Sequence, residues 1–232
     1  MSQSQIAQQL AMMQLSDSFF PTGSFTLSHG IETLVQTGKI QSGQDVKKFL
    51  QLLLLNKVGV SDVVALLHSH RGSQEGNLTA VKQADCQLFA QTAIALLRET
   101  QSKSGRALLM MTSSTWSDKR LDVLNREATR GEIHCLHPVI FGAIAPIVGL
   151  NERDTVLAFL HSLVTSILGA AIRLGVLGHI QAQQILRSLA LDIEQVWSTA
   201  RSMSLEQMWS CTPSIDIAQM QHAKLPQRLF AS

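Results

Sequence analysis

His134, Cys135 and His137, in the run Glu-Ile-His-Cys-Leu-His-Pro, form the one compact group of metal-capable side chains in this 232-residue sequence. Imidazole and thiolate suit nickel and other late first-row ions. The run offers three donors, short of a four-ligand site, and His137 stands where it can orient the helix entry at Pro138. The three are weak metal candidates, and no cofactor is expected. His68 and His70 are two apart and cannot share a helix face. Other chemistries lack their residues. Pro-Thr-Gly-Ser-Phe (21–25) has no strand–turn–helix nucleophile context. A phosphate loop of the Gly-x-x-x-x-Gly-Lys-Ser type is absent, as is the Glu-x-x-His of a di-iron bundle. The chain reads as a non-enzyme, with a helical enzyme or cofactor or metal carrier using His134, Cys135 and His137 as the alternative.

The elements that would carry these residues are helical. Five prolines leave 22–137 and 147–212 free of the residue that breaks helix interiors. Val46, Phe49, Leu50 and Leu53 follow i, i+3, i+4, i+7 spacing, and Ile185, Leu189, Ile193 and Val196 repeat it. Alternating strand patterns are scarce. The spacing predicts an all-α domain of about ten helices over 1–210, including 27–37, 44–57, 138–149, 153–175 and 188–208. A tail follows over 211–232, in which Ser214 can cap a short helix.

Apolar residues make up 45% and charged residues 16% of the chain, with nineteen basic side chains against seventeen acidic. So even a balance gives no positive field for nucleic acid, and so modest a charge on so apolar a chain suits a protein that works in complexes. Three well-separated cysteines argue against a disulfide framework and for a reducing, cytoplasmic setting. The uncharged runs 133–151 and 155–172 approach a bilayer span. Histidines, prolines and hydroxyls interrupt them and no aromatic anchors flank them, so buried core is the reading rather than membrane.

Near the N-terminus, Leu-Ser-Asp-Ser-Phe-Phe-Pro-Thr-Gly-Ser-Phe-Thr-Leu-Ser-His-Gly-Ile-Glu (15–32) combines a Pro-x-Gly break with three phenylalanines. Pro21 disfavours helix at Phe20, Gly23 tolerates positive φ, and Ser24 or Thr26 can cap a helix beginning near Leu27. At the other end, Leu225, Leu229 and Phe230 are apolar residues in a region that usually frays. They require cover, from the protein's own core or from a partner.

The 15–32 run resembles the signature of the UreF family of urease accessory proteins. Four further segments match in order: 98–109, His-Pro-Val-Ile-Phe-Gly (137–142), 170–186, and the ending from Thr212 to Ser232. The chain departs from the family pattern at Thr26-Leu27, His179 and Ala231. The resemblance implies an all-α, homodimeric, non-enzymatic subunit that binds UreD (also called UreH). The pair would recruit the GTPase UreG to apo-urease for nickel insertion. It also implies partner-binding roles for Arg228, Leu229, Phe230, Ser232, His222 and Glu32, and a structural loop marked by Pro21, Gly23 and Gly30. Glu32, Arg98, Glu99, Arg106 and Arg173 are charged residues within apolar helices, read as solvated, internally paired or facing UreG.

Overall fold

The computed structural model describes residues 3–17, 19–21 and 27–231, and every regular element among them is helical. In chain order these are α1 (Gln3–Ser16), α2 (Ile31–Gln36), α3 (Gly43–Leu53), α4 (Asp62–Gln74), α5 (Leu78–Gln91), α6 (Ala95–Thr115), α7 (Lys119–Arg130), α8 (His137–Ile144), α9 (Glu152–Arg173), α10 (His179–Ser188), α11 (Ala190–Ala200) and α12 (Pro213–His222). The all-α expectation holds. Several boundaries are written locally. Ser42 and Asp45 close a reciprocal capping box on α3, and Asn77, Asp118 and Asn151 cap α5, α7 and α9.

The core is organised around α4. Val63 to Leu67 are completely buried, so this stretch of the helix is enclosed on every side. Helix α8 crosses it at unusually short range. A Cβ on Gly142 would collide with the backbone carbonyl of Leu66, so only glycine permits the approach. The hydroxyls of Ser69 and Ser73 then donate to the carbonyls of Val139 (2.7 Å) and Ala143 (2.6 Å). Helix α9 lies alongside α1, α2, α4 and α8. It is the one straight helix among the described residues long and apolar enough to cross a bilayer, and 61% of its apolar stretch is buried against protein.

Several boundaries differ from expectation: α8 stops at Ile144 rather than near 149, and α11 stops at Ala200 rather than near 208. Helix α2 starts at Ile31 rather than near Leu27, because His29 and Gly30 both take positive φ (51° and 89°). Residues 54–58 form a π turn that continues α3. Helix α12 starts at Pro213 behind Thr212, whose hydroxyl reaches Asp216 (3.3 Å), rather than behind a Ser214 cap. Gly23, Ser24, Thr26 and Ser232 lie outside the described residues. Of the loop aromatics, Phe20 is buried and stacks near Trp116, whereas Phe19 is 91% exposed, so only one of this pair fills the core.

Candidate functional site

The histidine–cysteine run is a structural turn. Asp85, buried on α5, accepts the backbone N–H groups of His134 (2.5 Å) and Leu136 (2.9 Å). That clasp holds Cys135 at a φ of 61° with its thiol in the core, where burial pushes its pKa up to about 11. The His134 ring stacks on Phe89 at 3.6 Å, and the Arg98 guanidinium also lies over that phenyl ring. His137 turns the other way, against Phe141 and Phe159. The three side chains therefore do not converge. Among the described residues, no group of three or more His, Cys, Asp or Glu side chains is placed to hold a metal ion.

His137 instead joins a small recess of about 70 Å³ with His29, Lys57, Asp62 and Gln101. Burial lowers the pKa of His137 and of His29 to about 4, with the nearby positive charge of Lys57 adding to the effect on His29. Burial raises Asp62 to about 6, opposed by Lys57 and by the hydrogen bond from Gln101 Nε2 at 3.0 Å. Gln101 Oε1 is buried with no partner. The π turn aims Lys57 across the recess at α12, where it pairs with Asp216 (2.5 Å) and reaches Gln219 Oε1 (3.3 Å). The recess has room for a handful of water molecules and no substrate-sized ligand.

The second polar cluster joins the two ends of the chain. Glu32 and His222 are both completely buried, with His222 Nε2 2.7 Å from Glu32 Oε2. The other Glu32 oxygen accepts the backbone N–H of Leu229 at 2.6 Å. Gln36 Nε2 donates to the carbonyl of Gln227 at 3.0 Å. Phe230 is buried to 6% exposure, and the guanidinium of Arg173 at the end of α9 lies 4.3 Å over its ring. Helix α12 sits directly on Gly30: a Cβ there would stand 3.1 Å from Gln219 Cγ and 3.3 Å from the carbonyl of Ile215. The tail thus covers itself on the protein's own body.

Apolar surface remains. Helix α1 carries no charged residue, its positions 5–10 are all exposed, and Ile6, Leu10 and Met13 line its outer side. Ile217, Met220 and Leu229 stay open around the tail, Leu229 at 67% exposure.

Comparison with known proteins gives the family. The UreF family model matches residues 40–190. The chain is 71% identical to the urease accessory protein UreF of Trichodesmium erythraeum (strain IMS101) across the whole of both chains. This chain belongs to the UreF family of urease accessory proteins. It is also similar to UreF of Agrobacterium fabrum (31% identity, all of this chain and 99% of that one) and of Lachnoclostridium phytofermentans (27%, with 96% and 98% covered).

In this UreF-family chain the residues grouped as partner-facing separate into two kinds. Arg228 and Leu229 are exposed. Glu32 and His222 are interior, so in this arrangement neither side chain can touch a partner directly; what they do is hold the tail. Phe230 is tucked in beside them. Arg106 donates to the carbonyl of Ala128 (3.1 Å) and Glu99 pairs with Lys103 on the surface. Two features carried no signal that sequence reasoning used. These are the π turn that aims Lys57 and the Asp85 clasp, which shows only as a polar residue on the apolar stripe of α5.

Proposed function

We propose that this chain is a non-catalytic assembly subunit of urease maturation. It binds UreD and, with it, recruits the GTPase UreG to apo-urease so that nickel is inserted. It works as a homodimer in the cytoplasm, without nucleic acid or membrane as a partner and without a cofactor of its own. The observation that carries this reading is the full-length similarity to a urease accessory protein, in a chain whose polar clusters fasten its own helices. The uncharged outer side of α1 and the open apolar residues of the tail are the surfaces such partners would cover.

Co-expression with the urease accessory proteins and affinity recovery of this chain tests the reading. Recovery of UreD and UreG in stoichiometric amounts is the expected result. Recovery of the chain alone would overturn it. Within that complex Arg228→Ala is expected to leave the circular dichroism spectrum unchanged and to weaken retention of UreD about tenfold, the loss of one charge-assisted contact. Unchanged retention removes Arg228 from the interface.

A further inference from the structure

The recess that holds His137 does not end at Gln101. Lys57, Asp62, Leu97 and Gln101 also line a second hollow of about 210 Å³. Its other walls include residues 92–94, the irregular link between α5 and α6, with Ser210 and Met220 beside α12. Ala93, Ser210 and Met220 are exposed, so this hollow opens to solvent. Charge inside it does not balance. Asp62 opens α4 and is only 7% exposed, and Gln101 Nε2 donates to its Oδ1 at 3.0 Å. Among the described residues, no cation pairs with it. Lys57 is the positive side chain at hand, and it bonds Asp216 (2.5 Å) and Gln219 (3.3 Å) instead. One ammonium therefore stands among two carboxylates, while burial keeps both nearby imidazoles, His29 and His137, neutral at pH 7. Next to the carboxylate, Gln101 Oε1 is a buried acceptor with no donor. Both defects call for the same group, one that carries positive charge and N–H bonds.

We propose that this hollow is a socket for a cationic side chain of a partner protein, a lysine or arginine whose N–H groups bond Asp62 and Gln101 Oε1. The head group brings the missing charge, and its donors satisfy the orphaned amide oxygen. A metal ion does not suit the site, because the surrounding His, Asp and Glu side chains are not grouped to hold one. Lysine and arginine also carry an apolar stem that needs cover once the head has entered. Met220, on the wall, is 54% exposed, and Trp209, next to Ser210, is 44% exposed, so the rim supplies that cover. A free ammonium ion would have no use for it. The socket rests on the assembly reading above and gives that reading one contact.

The full chain alone tests the socket, with methylguanidinium as the probe and the side-chain N–H signals of Gln101 followed by NMR. Saturable shifts with a midpoint of about 1–10 mM are expected, the strength open to a cation this small. Acetamide, of similar size but neutral, is expected to bind at least tenfold more weakly. Asp62→Asn keeps the shape and an acceptor for Gln101 while removing the charge, and is expected to raise the probe's midpoint at least tenfold. Ser210→Trp, which plugs the mouth from an exposed position, is expected to do the same and stands in if Asp62→Asn does not fold. Shifts that never saturate in the wild type, or equal binding of probe and acetamide, overturn the socket. Burial raises the Asp62 pKa to about 6, so the midpoint is also expected to rise about tenfold from pH 7 to pH 5 as the carboxylate takes up its proton. Across that range the other charged groups facing it are Lys57 and Asp216, and a flat profile overturns Asp62 as the seat. Co-expression with the urease accessory proteins then tests the occupant. Asp62→Asn is expected to lower their retention about tenfold, and undiminished retention by a variant that no longer binds the probe overturns a partner's side chain as the occupant. If the wild type recovers no accessory protein while the probe still binds, the assembly reading fails and the cation site remains.

Discussion

The crossing of α4 with α8 and the joint between α2 and the tail both bury polar groups, yet they are built on opposite rules. At the crossing, hydroxyls from Ser69 and Ser73 bond backbone carbonyls, and Gly142 brings two helices almost into backbone contact. At the joint, a carboxylate and an imidazole face each other, and two neighbouring polar atoms go without partners. Neutral hydrogen bonds between close-packed helices make a fixed frame. A buried carboxylate whose partners lie at the far end of the chain makes a connection that stands or falls as a unit. The difference separates packing that is local to two helices from a connection that ties the two ends of the chain together.

The sharpest way to break this contrast is Gly142→Ala. The added methyl meets backbone, which cannot move aside, and the loss is expected to be at least about 3 kcal/mol by urea denaturation. A loss below about 1 kcal/mol would mean that the crossing is looser than described. Glu32→Ala leaves the buried His222 and the Leu229 N–H without an acceptor. It is expected to cost about 2 to 3 kcal/mol, with the change in hydrogen exchange concentrated in residues 222–231. Protection lost evenly across α4 and α8 would show the joint to be part of the frame. Phe230→Ala is expected to cost about 2 kcal/mol, less than a core phenylalanine, because it packs at the end of the chain among mostly exposed neighbours.

Acid sharpens the comparison from a third direction. His29 and His137 take up protons near pH 6.5 in the unfolded chain but only near pH 4 in the folded one. Between those values the unfolded state binds more protons, so stability falls as pH drops through that window. Asp62 acts in the opposite sense: its folded pKa of about 6 against an ordinary 3.8 makes its contribution fall as pH rises between them. Two histidines outweigh one carboxylate, and the net expectation is a melting temperature that decreases from pH 6.5 to pH 4. Asp62→Asn is expected to steepen that slope, and His137→Leu to flatten it. A flat wild-type profile would show that the recess is wetter than its burial implies.

Much of the frame was legible because it is written in short-range terms. Proline-free tracts and 3.6-residue apolar spacing are local signals, whereas the caps Ser42, Asn77 and Asn151 emerged from the structure. The family resemblance was legible for a different reason, since it needs only the order of residues. What could not be read depends on backbone conformation or on distant partners. His29 in left-handed backbone delays α2 to Ile31, although a non-glycine residue gives no warning of it. The π turn at 54–58 looks like ordinary helix in the apolar pattern. Glu32 and His222 are 190 positions apart, and nothing in either neighbourhood names the other. The same distance explains why two residues expected to face outward face each other.

The lack of charge along α1 has a kinetic meaning as well as a structural one. A partner settling on Ile6, Leu10 and Met13 meets no field from that helix to draw it in, so encounter there proceeds at the unguided pace of about 10⁵–10⁶ M⁻¹s⁻¹. Once made, such a contact is indifferent to added salt, and a high-salt wash that strips charge-held proteins from this chain would leave it in place.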